Sequence, residues 1–265
     1  MPEIHIPTLA PEVLFQIGSI NITNTIINTW IAILLFLVLG LLLLRNIKDK
    51  PGKLQNACEF ILEKILPFLD QVTGSRKKTI KFLPIVGSIF FFILLSNWLG
   101  LLPGTGSIKL GHSFLLRPAN TDLNLTLVMA LTAVLSSHIL GFMAIGFFTH
   151  IGKFVQIAGI IKSFKKGPIA IFTAFVEFGV GILEIISEIA KILSLSLRLF
   201  GNIFAGEVLI SVITALISVV APAPFMMLEL LVGLVQATVF SILTLVYLTV
   251  ATTAPHGSEE HSASH

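Results

Sequence analysis

The chain has 265 residues, is 55% hydrophobic and 12% charged, and carries a formal net charge of +3. A soluble domain has roughly twice that charged fraction, and 21 Phe beside a single Tyr suit lipid contact better than a wet surface. The lone Cys58 excludes an internal disulfide framework and a cysteine-based metal cluster, so the composition is that of an all-α polytopic membrane protein.

Residues 1–24 hold no Lys or Arg and contain Pro2, Pro7 and Pro11. They lack the charged start of a signal peptide and the arginines of a transit peptide, and are expected to form an extracytoplasmic tail. The membrane domain is expected over 25–252. Its apolar segments, 25–44, 82–102, 123–148, 193–220 and 225–250, are each about 20 residues or more, enough to cross hydrocarbon about 30 Å thick. Between the first two, 53–70 reads as an interfacial amphipathic helix. Leu54, Ala57, Cys58, Ile61, Leu62, Ile65 and Leu69 share a face, and Lys53, Glu59, Glu63 and Lys64 lie elsewhere. Pro103, Gly104 and Gly106 end the second span, Pro118 precedes the third, and Pro222 with Pro224 predicts a tight turn between the last two. The end, 253–265, is a flexible tail whose His256–His265 stretch is rich in Gly, Ser, Glu and His.

Basic residues set the orientation. Arg45, Lys48, Lys50, Lys53, Lys64, Arg76, Lys77, Lys78 and Lys81 crowd the loop 45–81, and Lys153, Lys162, Lys165 and Lys166 the loop 149–168. The loop 103–122 holds only Lys109 and Arg117. The positive-inside rule puts the two basic loops in the cytoplasm and the N-terminus outside, and five spans then leave the C-terminus inside. The small net charge is therefore a topology signal rather than a nucleic-acid footprint.

The segment 169–220 is largely apolar yet carries Glu177, Glu184, Glu188, Lys191, Arg198, Asn202 and Glu207, with no proline between Pro168 and Pro222. One continuous helix there would run about 75 Å, too long to stand upright, so it must tilt strongly, break or lie partly at the interface. At about 100° per residue, Lys191, Glu184, Asn202, Glu177 and Glu188 fall within an arc of about 80° from Arg198, and Glu207 lies near 180°. One face thus carries a row of carboxylates leading to Arg198, and a separate acid points elsewhere. A guanidinium in hydrocarbon costs from about 3 kcal/mol on insertion scales to above about 10 kcal/mol in simulations. Arg198 cannot shed its proton, so it requires an anion or a water-filled path and cannot itself relay protons. The last span adds Glu229 and Gln236, seven apart on one face. Buried carboxylates take up and release protons near neutral pH. Two groups of acids on either side of a fixed cation would admit protons from each side while discouraging a straight leak.

Plainer readings remain open for these residues. Glu184, Glu188 and Lys191 would also make a salt-bridge cluster near the headgroups, and Glu207 with Glu229 a structural carboxylate pair. Asn202 and Gln236 would serve as interhelical hydrogen-bond glue. His138 and His150 read as structural, since no metal-binding spacing surrounds them, and without a Walker loop no nucleotide or other cofactor site is expected.

The block Ser194-Leu195-Ser196-Leu197-Arg198-Leu199-Phe200-Gly201-Asn202-Ile203-Phe204-Ala205-Gly206-Glu207 resembles subunit a of the F-type ATP synthases. So do Ser96-Asn97-Trp98-Leu99-Gly100-Leu101-Leu102-Pro103, Pro118-Ala119-Asn120-Thr121-Asp122-Leu123-Asn124-Leu125-Thr126, and Leu234-Val235-Gln236-Ala237-Thr238-Val239-Phe240 followed by Leu245-Val246-Tyr247. The resemblance implies five membrane-spanning helices plus an interfacial helix, the last two forming a long tilted hairpin. It implies a non-catalytic, proton-translocating stator subunit with two offset half-channels to and from the carboxylates of a c-subunit ring. Arg198 would be the essential electrostatic gate facing that ring, with Gln236 beside it and Asn202 one turn along. Glu184 would line the cytoplasmic half-channel, joined by Glu188, and Glu207 and Glu229 the outer one. Many relatives carry His at one of these last two positions, where this chain has Glu at both. Some carry an acid at the position of Gly100. The implied partners are the c-ring, peripheral-stalk b subunits, other ATP synthase subunits and membrane lipid. The implied location is a bacterial plasma (inner) membrane or, alternatively, an organellar energy-transducing membrane. The rival expectation is a self-contained ion channel or secondary transporter, which should offer its own intramembrane acid to Arg198; the first three spans contain none within their apolar cores.

Overall fold

The computed structural model describes residues 7–45, 52–102, 109–110, 113–114, 116–146, 168–216 and 221–253. Strands β1 (Val13–Ile17) and β2 (Ile20–Thr23) open it as an antiparallel hairpin. Gly18 takes a φ of 63° in its two-residue turn, a conformation that a side chain would strain. Helices α1 (Asn24–Arg45), α2 (Lys53–Thr73) and α3 (Arg76–Gly100) follow. A two-residue strand pair, β3 (Lys109–Leu110) and β4 (Ser113–Phe114), and a 3-10 turn (Ala119–Thr121) lead to α4 (Leu123–Ile145), α5 (Pro168–Leu216) and α6 (Pro222–Thr252). Five of these helices, α1, α3, α4, α5 from Phe178 onward and α6, are long and apolar enough to cross a membrane. The tail 254–265 and most of the loop 149–168 lie outside the described residues.

The chain divides into two compact units. The first, Met1–Met129 with Leu195–Leu245, packs α1 against α3 and both against the 3-10 turn. Burial in α1 is inverted relative to a helix of a soluble protein. The buried residues of α1 are Asn24, Thr25, Asn28 and Ala32, whereas Leu34 and Leu44 are 64% and 67% exposed. An apolar solvent leaves little hydrophobic gain in burying Leu, so small and polar residues mediate the helix contacts. Asn28 Nδ2 donates to the Arg117 carbonyl at 2.8 Å, and the Thr25 hydroxyl to Asp122 Oδ2 at 3.1 Å. Asn120 Nδ2 donates to Asn97 Oδ1 at 2.6 Å, and Asn97 Nδ2 to the Gly233 carbonyl on α6 at 3.2 Å. Each such bond contributes about 0.6 kcal/mol in membrane proteins. Asp122 does double duty, because its Oδ1 accepts the Asn124 backbone N–H at 2.9 Å and so caps the start of α4. Gly100, the last residue of α3, leaves room for Pro118: a Cβ there would lie 2.5 Å from the ring.

Helix α2 ends on Gly74 at a φ of 70°, whose N–H donates to the Asp70 carbonyl. Arg76 then pairs with Asp70 at 3.0 Å, joining the ends of α2 and α3. Thr79 and then Arg76 hold the Asp70 carboxyl below its ordinary pKa, against the opposing effect of desolvation. Of the face expected on this helix, Leu69 is buried while Ile61, Leu62 and Ile65 are exposed.

Helix α5 runs unbroken for 49 residues, roughly 74 Å at 1.5 Å per residue. Of the three outcomes open to this segment, a break is the one the structure rejects. The helix starts well before the 193–220 segment, because nothing after Pro168 interrupts it and proline at the first helical position costs no hydrogen bond. The same rule corrects the expected Pro222–Pro224 turn. Both prolines belong to the first turn of α6, where the missing N–H groups would be unpaired anyway.

Candidate functional site

Arg198 lies on α5 with its side chain exposed. Leu197, Gly201, Asn202 and Ala205 are exposed with it, a stripe at helical spacing, while Leu195, Leu199, Phe200 and Ile203 are buried. Gly201, Asn202 and Ala205 are short, so a neighbouring helix can approach the backbone closely there. Gln236 on α6 is half-buried, one residue from the fully buried Ala237.

Glu207 is on α5 but engages Arg117, which the loop-charge count had treated only as a topology signal. Arg117 Nε lies 2.9 and 3.0 Å from the two carboxylate oxygens of Glu207, and Nη2 lies 3.0 Å from Oε2. The guanidinium is 5% exposed and sits 5.9 Å from the centre of the Phe204 ring. A cation so enclosed needs a fixed anion, and Glu207 supplies it. The two residues are 90 positions apart, and a basic residue in a base-poor loop was the signal available in the sequence.

Glu229 is 8% exposed on α6. Its carboxylate packs on Gly206, where any Cβ would overlap it, and its Oε1 accepts no hydrogen bond from the described residues. Glu207 is about 15 residues and Glu229 about five from the Pro222–Pro224 pair, a difference in depth of about 15 Å along upright helices that tilt or an irregular helix start would have to close. In the structure Glu229 abuts Gly206, the residue next to Glu207. The described part of α5 runs to Leu216 and α6 starts at Pro222, so the two acids lie nearly equally far from those helix ends.

The second unit, Ala130–Ser194 with Val246–His265, holds Glu184 and Glu188. Glu188 Oε1 accepts from Lys191 Nζ at 2.6 Å, and Glu188 Oε2 lies 3.4 Å from His138 Nε2 on α4. Lys191 also stands 5.2 Å from the centre of the Tyr247 ring. Glu184, Ser187, Glu188, His138, Lys191 and Tyr247 line one cavity of about 370 Å³. A space of that size with several polar walls holds water readily. The side chain of Glu177 lies outside the described residues. The sequence reads His138 as a structural residue and does not say which side chain satisfies it; the structure supplies Glu188, and a single His inside an apolar helix beside an i, i+3 Glu–Lys pair elsewhere in the chain was the available signal. Among the described residues no cluster of His, Cys, Asp and Glu is placed to hold a metal ion.

Five helices long and apolar enough to cross a membrane, with Glu207, Glu229, Glu184 and Glu188 set within them, define a polytopic α-helical membrane protein with ionisable side chains inside its spans. The sequence model of the family described as ATP synthase A chain matches residues 26–249. Curated relatives called ATP synthase subunit a include one from Moorella thermoacetica, 31% identical over 90% of this chain and 94% of its own length. Another, from Gloeobacter violaceus, is 32% identical over 93% and 91%. One from Pelobacter propionicus, called ATP synthase subunit a 3, is 32% identical over 83% of each. The chain belongs to the ATP synthase A chain family and is a membrane subunit of that complex, not a catalytic one.

Proposed function

We propose that the chain is the proton-conducting stator of an ATP synthase, with two offset half-channels that load and unload the carboxylates of a c-subunit ring. The observation that carries this reading is Arg198, exposed on a membrane-crossing helix along a stripe of short residues. An exposed guanidinium at that depth is tolerated where the facing surface is anionic or wet. A rotor helix bearing a buried acid fits both requirements, because short residues admit it closely and its carboxylate meets the cation.

In this mechanism a proton arrives from outside past Glu207 and Glu229 and neutralises a rotor carboxylate as it leaves Arg198. The neutral carboxyl turns through lipid, then releases its proton toward the cavity lined by Glu184 and Glu188. Arg198 stays charged throughout and repels protons that would pass directly between the channels. Asn202 and Gln236 hold the polar lining next to the gate. The membrane potential contributes about 2.3 kcal/mol per proton for each 100 mV. Helices α5 and α6 form a hairpin tilted across the rotor surface, α2 lies in the interface, and peripheral-stalk b subunits anchor the assembly. The setting is a bacterial plasma membrane, with the N-terminus outside and the C-terminus in the cytoplasm.

The test is ATP-driven proton pumping by the assembled synthase in inverted membrane vesicles. Arg198→Ala is expected to abolish pumping while the detached soluble head still hydrolyses ATP. Arg198→Lys should fail too or be severely impaired, since Lys loses the planar fork and can shed its proton when buried. Pumping above background in Arg198→Ala removes the gate role.

A further inference from the structure

The guanidinium of Arg117 has more partners than an ion pair requires. Besides gripping Glu207, its Nη1 donates to the Ala10 carbonyl at 3.3 Å and its Nη2 to the Thr8 carbonyl at 2.8 Å. The Arg117 carbonyl in turn accepts from Asn28 on α1. One buried side chain thus joins the N-terminal segment, the approach to α4 and the Glu207 turn of α5. Arg keeps its charge at any accessible pH, and its three donor–acceptor contacts with Glu207 favour the ionised carboxylate. Glu229, next door across Gly206, is different: its Oε1 accepts no hydrogen bond from the described residues.

We propose that Arg117 is a positioning residue that divides the labour of the two acids. It holds Glu207 as a permanent carboxylate under a strap formed by residues 8–10, and leaves Glu229 as the group that takes up and hands on the proton. This rests on the reading that both acids line the outer half-channel. The charged and titratable groups concerned come from three elements: Arg117 from the segment before α4, Glu207 from α5 and Glu229 from α6. Thr8 and Ala10 of the N-terminal segment meet Arg117 through their backbone carbonyls.

The test compares variants of the assembled synthase in vesicles by pumping rate and its pH profile. Glu207→Gln strands a buried cation, and a charge left uncompensated in this way should cut pumping about tenfold or more. The double variant Arg117→Gln/Glu207→Gln removes both charges and should recover to within about threefold of the parent, the signature of a coupled pair. Its pH profile should match the parent's, whereas Arg117→Gln alone, by freeing Glu207 to titrate, should shift the profile. A double variant as inactive as Glu207→Gln overturns the proposal, because it makes Glu207 an obligatory carrier. Glu229→Gln reports on the underlying reading: pumping at the parental rate there means the outer path does not use these acids at all. A measurement on the unaltered protein guards against variants that do not assemble. A hydrophobic carbodiimide adds to protonated buried carboxyls, and mass spectrometry of this subunit should find the adduct on Glu229 and not on Glu207. An adduct on Glu207, or none on Glu229, overturns the division.

Discussion

Glu229 and Glu188 both sit in helices made of Leu, Val and Ile, yet their surroundings differ. Glu229 is pressed against the backbone of Gly206 in a closely packed part of its unit. Glu188 shares a cavity of about 370 Å³ with Glu184, Ser187, His138, Lys191 and Tyr247, and two basic side chains reach it. The first arrangement limits access and leaves one oxygen without a donor among the described residues. The second stabilises charge and leaves space for solvent. An acid that must exchange its proton with one neighbour at a time is suited by enclosure. An acid at the wall of an aqueous vestibule is suited by paired cations and water. Carboxylates in the spans of one chain thus have unlike surroundings: close packing encloses Glu229, and a cavity opens beside Glu188.

The sharpest way to break this contrast is to fill each place by one methyl-sized step. Gly206→Ala puts a Cβ into the Glu229 carboxylate. Overpacking a tight site costs about 1–3 kcal/mol, and pumping should fall at least about tenfold. Ser187→Thr, which adds a methyl at the wall of the cavity, should change the rate by less than about twofold, as for a surface substitution. Equal losses from the two variants would end the distinction between a packed site and an open one.

Access can be read directly. After Cys58 is replaced by Ser, cysteines introduced one at a time at Glu184 and Ser187 should react with a water-soluble thiol reagent, because both line the cavity. Ile203→Cys, buried in the other unit, should stay unlabelled. So should Ile182→Cys and Ile189→Cys, which are exposed among apolar neighbours where lipid is expected. Labelling at Ile182 and Ile189 as fast as at Glu184 would mean that the cavity is no special aqueous route.

The smallest effect is expected at an acid belonging to neither place. Asp70 is held below the ordinary carboxyl value of 3.8 by Thr79 and Arg76. A depressed pKa stabilises the fold above the unfolded value, and that stability disappears as pH falls through the folded value. Amide exchange at the corner between α2 and α3 should therefore be faster in Asp70→Asn than in the parent near neutral pH. The two should converge well below pH 3.8. A difference that persists in acid would mean the corner is held by packing instead.

Much of this protein is written locally. The five apolar segments, the amphipathic stretch ahead of α3 and the polar row around Arg198 all follow from runs of hydrophobicity and a 3.6-residue period, which are properties of short windows of chain. The family block from Ser194 to Glu207 is likewise contiguous. The prolines show where local reading goes astray, since Pro222 and Pro224 signal a turn and an N-terminal helical turn equally well. Only the tertiary structure decided which side chains meet. Arg117 finds Glu207 across 90 positions, His138 finds Glu188, and Glu229 settles on Gly206. Each meeting depends on the register between two helices. That register is set by many weak contacts and interhelical hydrogen bonds acting together, such as those of Asn97 with Gly233 and Asn28 with Arg117, and no single window of sequence contains both partners.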